Sequence, residues 1–394
     1  MTPTGRSVQH AAVPLWRDIR VLRVAAQIAV VLAVALVVAF LLRNAMTAMS
    51  ARGLSLGFDF LGSTAGFEIG ETPIDYRPTD TYGRAFLVGV LNTLFVSLAG
   101  IVLATLLGVL VGVARLSPNW LVSRVAAGYV ELMRNTPLLV QLLLLWAVML
   151  QLPAVANSLT LPGPSYLNQR GLFVPAPQLS STFGPWAVIV GAALLLAVAA
   201  RVTALRREAS GRPALHLGWF GLLAFAGVAV IGWLSAPEPP MFLDAPVQQR
   251  FNFQGGLALS PEFTALLLGL VLYTAAFIGE VVRGGIQAVR RGQVEAAQAL
   301  GLTSGQTLRL IVFPQALRVV VPPLTSQYLN LAKNSSLAVA IGYPDLFNVS
   351  RTVASQTGQP VSVILLVMGT YLSISLVTSL LMNLYNRRVQ IVER

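Results

Sequence analysis

Residues 86–114, FLVGVLNTLFVSLAGIVLATLLGVLVGVA, run for 29 positions without a charged side chain. A helix needs about 20 mostly apolar residues to cross the hydrocarbon core of a bilayer, so this stretch is long enough to span. Outward from it, charge-free windows recur at Val24–Leu42, Leu138–Leu150, Pro185–Ala200, Leu217–Leu234, Phe263–Gly279 and Val361–Leu384. The whole chain is 55% apolar and only 11% charged, against about 25% charged in an ordinary soluble domain. The expected fold class is therefore all-α, a polytopic helical membrane protein of about eight transmembrane helices, near 22–42, 86–114, 130–150, 184–200, 214–234, 262–282, 319–341 and 361–385.

A formal net charge of +12 raises the question of nucleic acid, because clustered cations neutralise phosphates. Here the cations stand in short segments between apolar runs, so no nucleic-acid partner is expected. Of 27 basic residues only Lys333 is a lysine. With the N-terminus in the cytoplasm, nineteen arginines fall inside and seven outside, which is the asymmetry that sets orientation in the bilayer. Both termini are then cytoplasmic and the protein lies in the plasma (inner) membrane. Arg17, Arg20 and Arg23 precede the first apolar run, which at 19 residues exceeds the 7–15 of a signal-peptide core. It reads as a retained anchor, with cleavage near Ser50 as the alternative.

The chain divides into 1–85 (tail, anchor and external loop), 86–150, 151–261 (external loops and an inserted pair of spans), 262–386 and the tail 387–394. External stretches 43–85, 151–183 and 235–261 are rich in Pro, Gly, Ser and aromatics, the composition of ordered loops.

The informative cytoplasmic segment is 283–318, RGGIQAVRRGQVEAAQALGLTSGQTLRLIVFPQALR. Helix formers fill Gln293–Leu300, and Gly301 followed by Leu302 stands where a left-handed C-terminal residue is wanted. Thr303 and Gln306 are spaced as a capping box, and Pro314 should kink or interrupt the helix that follows. Ala296, Ala297 and Ala299 leave one surface nearly flat beside the charge of Glu295. That surface suits either an interfacial linker or a knob set into another protein's groove.

Glu295-Ala296-Ala297, three residues, Gly301, nine residues, then Ile311, Phe313 and Pro314 resembles the EAA signature of ATP-binding-cassette import permeases. Phe313 stands where that family usually has Leu, an apolar exchange. Gly89-Val90-Leu91-Asn92-Thr93-Leu94, the run Glu131–Gln141 and Lys333-Asn334-Ser335-Ser336-Leu337 narrow the resemblance to the polar amino acid branch, and the extra length resembles the general L-amino acid permease subunits. The resemblance implies a type I importer permease core with no cofactor and no catalysis of its own. It also implies cytoplasmic ATPase subunits, a second permease chain, identical or homologous, and a periplasmic amino-acid-binding protein. Coupling to the ATPase then falls to Glu295, Ala296, Ala297, Gly301 and Pro314.

Candidate pathway residues are Arg134, Thr136, Pro137, Gln141, Glu280, Lys333, Asn334, Ser335 and Ser336. A mid-membrane lysine must be paired or face water, so Lys333 either lines the substrate path with its polar neighbours or pairs with Glu280 or Glu131. Glu280 and Arg283 are three apart on one helix face and suit a local ion pair. Arg134 suits a headgroup anchor or the path, and Gly108 with Gly112 suits close helix packing.

Enzymatic readings find little support. One lysine, preceded by Ala332, leaves no Gly-Lys-Ser/Thr phosphate loop. Gly53-Leu54-Ser55-Leu56-Gly57 spells a nucleophile elbow but follows no strand, and His10 and His216 are too distant in sequence to suggest a metal site. An ion-coupled secondary transporter acting alone is the rival class, but such proteins rely on intramembrane carboxylates, which are scarce here.

Overall fold

The computed structural model describes residues 19–51, 57–210 and 217–389. Both histidines and residues 53–56 of the elbow-like spelling lie outside the described residues, as do 1–18 and 390–394 of the two tails.

The first apolar run forms α1 (Ile19–Ala51), whose described side chains are all exposed. The charge-free run 86–114 lies within α2 (Tyr82–Ala114), capped by Thr81, whose hydroxyl accepts from Arg84 N. Next come α3 (Trp120–Asn135) and α4 (Leu138–Leu150), bent by 105° at the break between them. The single span expected near 130–150 is therefore two helices. Pro137 offers no N–H to continue α3, and the residue before a proline is pushed to extended backbone, which Thr136 adopts at ψ 130°.

A β-rich segment follows, with β1 (Leu159–Leu161), β2 (Ser165–Asn168), β3 (Gly171–Val174) and β4 (Ala176–Leu179). It leads into the inserted pair α5 (Phe183–Ala209) and α6 (Leu217–Ser235), then β5 (Met241–Asp244), β6 (Val247–Gln248), β7 (Phe253–Gln254) and β8 (Leu257–Leu259). Strands order β1-β2-β3-β8, with Leu172 opposite Leu259, while β4 pairs with β5 and β6 with β7. The external stretches read as loops thus carry short antiparallel pairs around Val155, Phe173 and Phe253. Because β4 and β5 are partners, α5 and α6 leave from and return to the same end of the molecule. Trp186 fastens the pair, donating from Nε1 to Ala229 O at 3.1 Å and meeting Trp233 edge-on.

The remaining elements are α7 (Pro261–Gln287), α8 (Arg291–Ala299), α9 (Ser304–Thr307), a π turn at Leu308–Val312, α10 (Phe313–Asn334), a 3-10 turn at Ser335–Ala340, α11 (Leu346–Thr357) and α12 (Pro360–Val389). Among the described residues six helices are long and apolar enough to cross a membrane, seven if the bent pair is one span. The 19-residue α6 rises about 28 Å and returns the chain to the end where β4 and β5 pair.

The buried centre lies between α2 and α7. A Cβ on Gly108 would stand 2.6 Å from Ile278 Cβ, and one on Gly112 would stand 2.7 Å from Gly279 O. The expected small-residue packing is realised there, backbone against backbone.

Candidate functional site

The segment 288–318 builds a compact projection at the end of the bundle opposite the strands. Its first helix, α8, ends as the sequence suggests. Gly301 takes φ +78°, with its N–H donating to Gln298 O at 2.9 Å and that of Leu302 to Ala297 O at 3.1 Å. These are the two bonds of a Schellman cap. Thr303 and Gln306 form the expected capping box, Gln306 Oε1 accepting from Thr303 N at 2.9 Å. Pro314 does not break the chain. It sits in the first turn of α10, directly after the π turn over Leu308–Val312; a widened turn accommodates a ring that would otherwise meet the carbonyl of Leu310.

Glu295, Ala296, Ala299 and Leu300 face outward, with Leu300 81% exposed. Ala297 is a correction to the flat surface drawn from the sequence. It is 3% exposed, the buried residue of a helix that lies against the π turn. Arg291, Gly292 and Gln298 are exposed as well, so the outward face carries one acid and one base among small and polar residues.

A charged cluster lies where α2 ends beside α7. Glu280 Oε1 accepts from Arg283 Nε at 3.0 Å, its other oxygen meets Arg115, and Arg283 reaches Gln287 Oε1 at 2.6 Å. The local pair expected for Glu280 is present and gains a second arginine. This corrects the alternative that paired Lys333 with Glu280 or Glu131: among the described residues Lys333 makes no ion pair, and its side chain is exposed. Leu331, two residues earlier, packs on Gly100, which is close to the midpoint of α2, so Lys333 stands near mid-depth.

The other pathway candidates surround two interrupted helices. At the α3–α4 break, Gln141 Nε2 donates to Met133 O and Thr136 O, both at 3.0 Å, satisfying carbonyls that α3 leaves without helical partners. Arg134 lies outside the break with its guanidinium 5.1 Å from the Phe277 ring centroid, a cation–π contact, and Pro137 is exposed. At the end of α10, Ser335 Oγ donates to Ala332 O at 2.8 Å and Ser336 Oγ to Lys333 O at 2.7 Å, with Asn334 half-buried between them. The 3-10 turn that follows touches α2, α4, α7 and α11. Non-helical backbone at membrane depth is tolerated where protein buries it or where it lines a cavity.

Two features escaped the sequence reading. The first is a polar knot between α2 and α11. Asn92 Nδ2 donates to Glu71 O and Pro344 O, both at 2.9 Å, and Thr93 Oγ1 accepts from Leu346 N at 3.0 Å. Asp345, fully buried, caps α11 by accepting from Asn348 N at 2.9 Å and also accepts from Tyr371 O–H at 3.4 Å. Burial pushes its carboxyl up to about 6 against the pull of those bonds. The signal was an Asp345…Gly358 cap pair around apolar Leu346, Val349 and Val353. The second is a cavity of about 410 Å³ at the strand-bearing end, lined by Glu68, Glu71, Ser260, Glu262, Asn348 and Thr352 among others. Burial raises Glu71 above the usual carboxylate range there.

Residues 100–391 match the family model described as the inner membrane component of binding-protein-dependent transport systems. YhdX of Escherichia coli strain K12, an amino-acid ABC transporter permease by name, is 46% identical over 93% of this chain and 94% of its own. The general L-amino acid transport system permease protein AapQ of Rhizobium johnstonii is 45% identical over 86% of this chain and 84% of its own. The glutamate/glutamine/aspartate/asparagine transport system permease protein BztB of Rhodobacter capsulatus is 40% identical over 96% of each. These alignments run over most of each chain.

Proposed function

The chain belongs to the family of inner-membrane components of binding-protein-dependent transport systems, and we propose that it is a permease subunit of an ATP-driven importer of L-amino acids. It is a multi-pass membrane protein and a transport component, with ATP hydrolysis on a separate subunit. The amino acid class rests on the names of its relatives, which include permeases for general L-amino acids and for glutamate, glutamine, aspartate and asparagine. The partners in this reading are cytoplasmic ATPase subunits, a second permease chain, a soluble amino-acid-binding protein on the outer side, and the lipid around α1 and the α5–α6 pair.

One observation carries the coupling part of this reading. The helix α8 projects Glu295, Ala296, Ala299 and Leu300 from a base made rigid by the Gly301 cap and the Thr303–Gln306 box. A short rigid helix with small residues on its exposed face can seat in a groove, and the charges of Glu295 and Arg291 set its register. Closure of the ATPase pair would then push α8, and through the π turn α10, as one body. At the far end of α10 lies the Lys333–Ser336 junction, so displacement there would change which side reaches the substrate. Such a motion needs two packed states with different substrate affinity.

Expression of the native operon and copurification through this chain should return an ATPase and a second permease. Proteoliposomes carrying that complex, with binding protein and ATP, should accumulate labelled amino acid, and competition with acidic, basic and neutral amino acids should define the range. Accumulation by this chain without ATPase subunits would overturn the reading in favour of a secondary transporter.

A further inference from the structure

Behind α8, on the side turned away from its outward face, the corner between the α7–α8 connection and α10 encloses a cavity of about 480 Å³. Its lining includes Val289, Arg290, Gln293, Gln315, Arg318 and Val319. Two arginines from different elements line it, and no carboxylate does. The amides of Gln293 and Gln315 stand 3.5 Å apart, too far to satisfy each other well. Arg318 Nε is buried and donates to no acceptor among the described residues. Buried guanidinium donors are ordinarily paired, and here the wall supplies donors in excess of acceptors.

We propose that this cavity is a site for a phosphate group, held between Arg290 and Arg318. A phosphate offers several acceptor oxygens in a tetrahedral array, so it can take bonds from arginines approaching from two elements together with a glutamine amide. A single carboxylate pairs most naturally with one guanidinium fork. The depth agrees, since Val289 and Arg290 directly follow the apolar helix ending at Gln287, and Gln315 and Arg318 lie in the first turns of α10. Basic pockets between helices at this level bind phospholipid headgroups, and a soluble phosphate ester would meet the same groups. A bound phosphate ties the root of α8 to α10, so its occupancy sets how firmly the projecting helix is held. The binding itself is independent of the importer reading; only the effect on transport rests on it.

The test uses the intact native complex in nanodiscs of phosphatidylcholine alone or with one-third phosphatidylglycerol, with inorganic phosphate titrated into the neutral discs. Thermal unfolding of the permease and retention of lipid or phosphate in native mass spectrometry are read together. The wild type should be stabilised by phosphatidylglycerol, by inorganic phosphate, or by both, and the responding arm identifies the source. Arg318→Gln and Arg290→Gln should each weaken that response at least tenfold; Arg290 is exposed, so its variant keeps the test valid if Arg318→Gln fails to fold. The proposal is overturned by a wild type that responds to neither arm, by Arg290→Gln responding as the wild type does, or by acetate acting as well as phosphate, which would assign the cavity to a partner protein's carboxylate. These readouts need no transport, so a failed uptake assay leaves them intact.

Discussion

At Gly301 the backbone lies at φ +78°, a conformation that costs an L-residue about 1 kcal/mol or more. Gly301→Ala should therefore loosen the α8 cap and lower thermal stability by roughly that amount, with a larger effect on coupling than on folding. Asp345 makes the second residue-scale prediction. Its carboxyl is raised from 3.8 to about 6 by burial, so the folded chain holds a proton that the unfolded chain has released between those values. The stabilising contribution is complete below the lower value and is lost as pH rises through the upper one. The protein should thus be roughly 1 kcal/mol more stable at pH 5 than at pH 7 from this group. Asp345→Asn, which still caps a helix, should flatten that dependence in melting curves across the range; an unchanged slope would place the titration elsewhere.

At the scale of elements, apolar length and caps were readable from residue types alone. The expected spans correspond to helices, and the Gly301 and Thr303–Gln306 signals mark the ends where the chain turns. Less readable was anything decided by partners distant in sequence. The strands β1–β8 are two to four residues long, too short for alternation to register, and the two groups are separated by α5 and α6. Ala297 looked equivalent to Ala296 because a run of alanines does not reveal which one meets the π turn. The 105° bend at Thr136–Pro137 was signalled by proline, but the apolar run Leu138–Leu150 that follows is too short to span alone and drew the residues before it into one expected helix. What stabilises the bend is Gln141, so Gln141→Leu should leave the carbonyls of Met133 and Thr136 without their donor. The expected loss is about 2 kcal/mol, read as a lower melting temperature with the span count unchanged. Between α2 and α7, Gly112→Val would force a side chain against Gly279 O and Val282, and the protein should fail to accumulate in the membrane.

For the whole molecule, the candidate pathway and the coupling helix occupy opposite parts of one continuous track, from α8 through the π turn and α10 to the junction at Ser335–Ala340. The sequence indicated both ends through their motifs, whereas the track is visible only once α10 is seen to pass Pro322 and Pro323 without a break. Because the chain has no cysteine, Arg291→Cys gives a single labelling site, and the orientation requires it to react only when reagent reaches the cytoplasmic face. The central claim is that ATP hydrolysis on a partner is transmitted through α8, and its most direct test is ATP-driven uptake by the reconstituted complex carrying Glu295→Ala together with Gly301→Ala. The account predicts uptake at least tenfold lower while the subunits still copurify; uptake at the wild-type rate from an equally well assembled complex would contradict it.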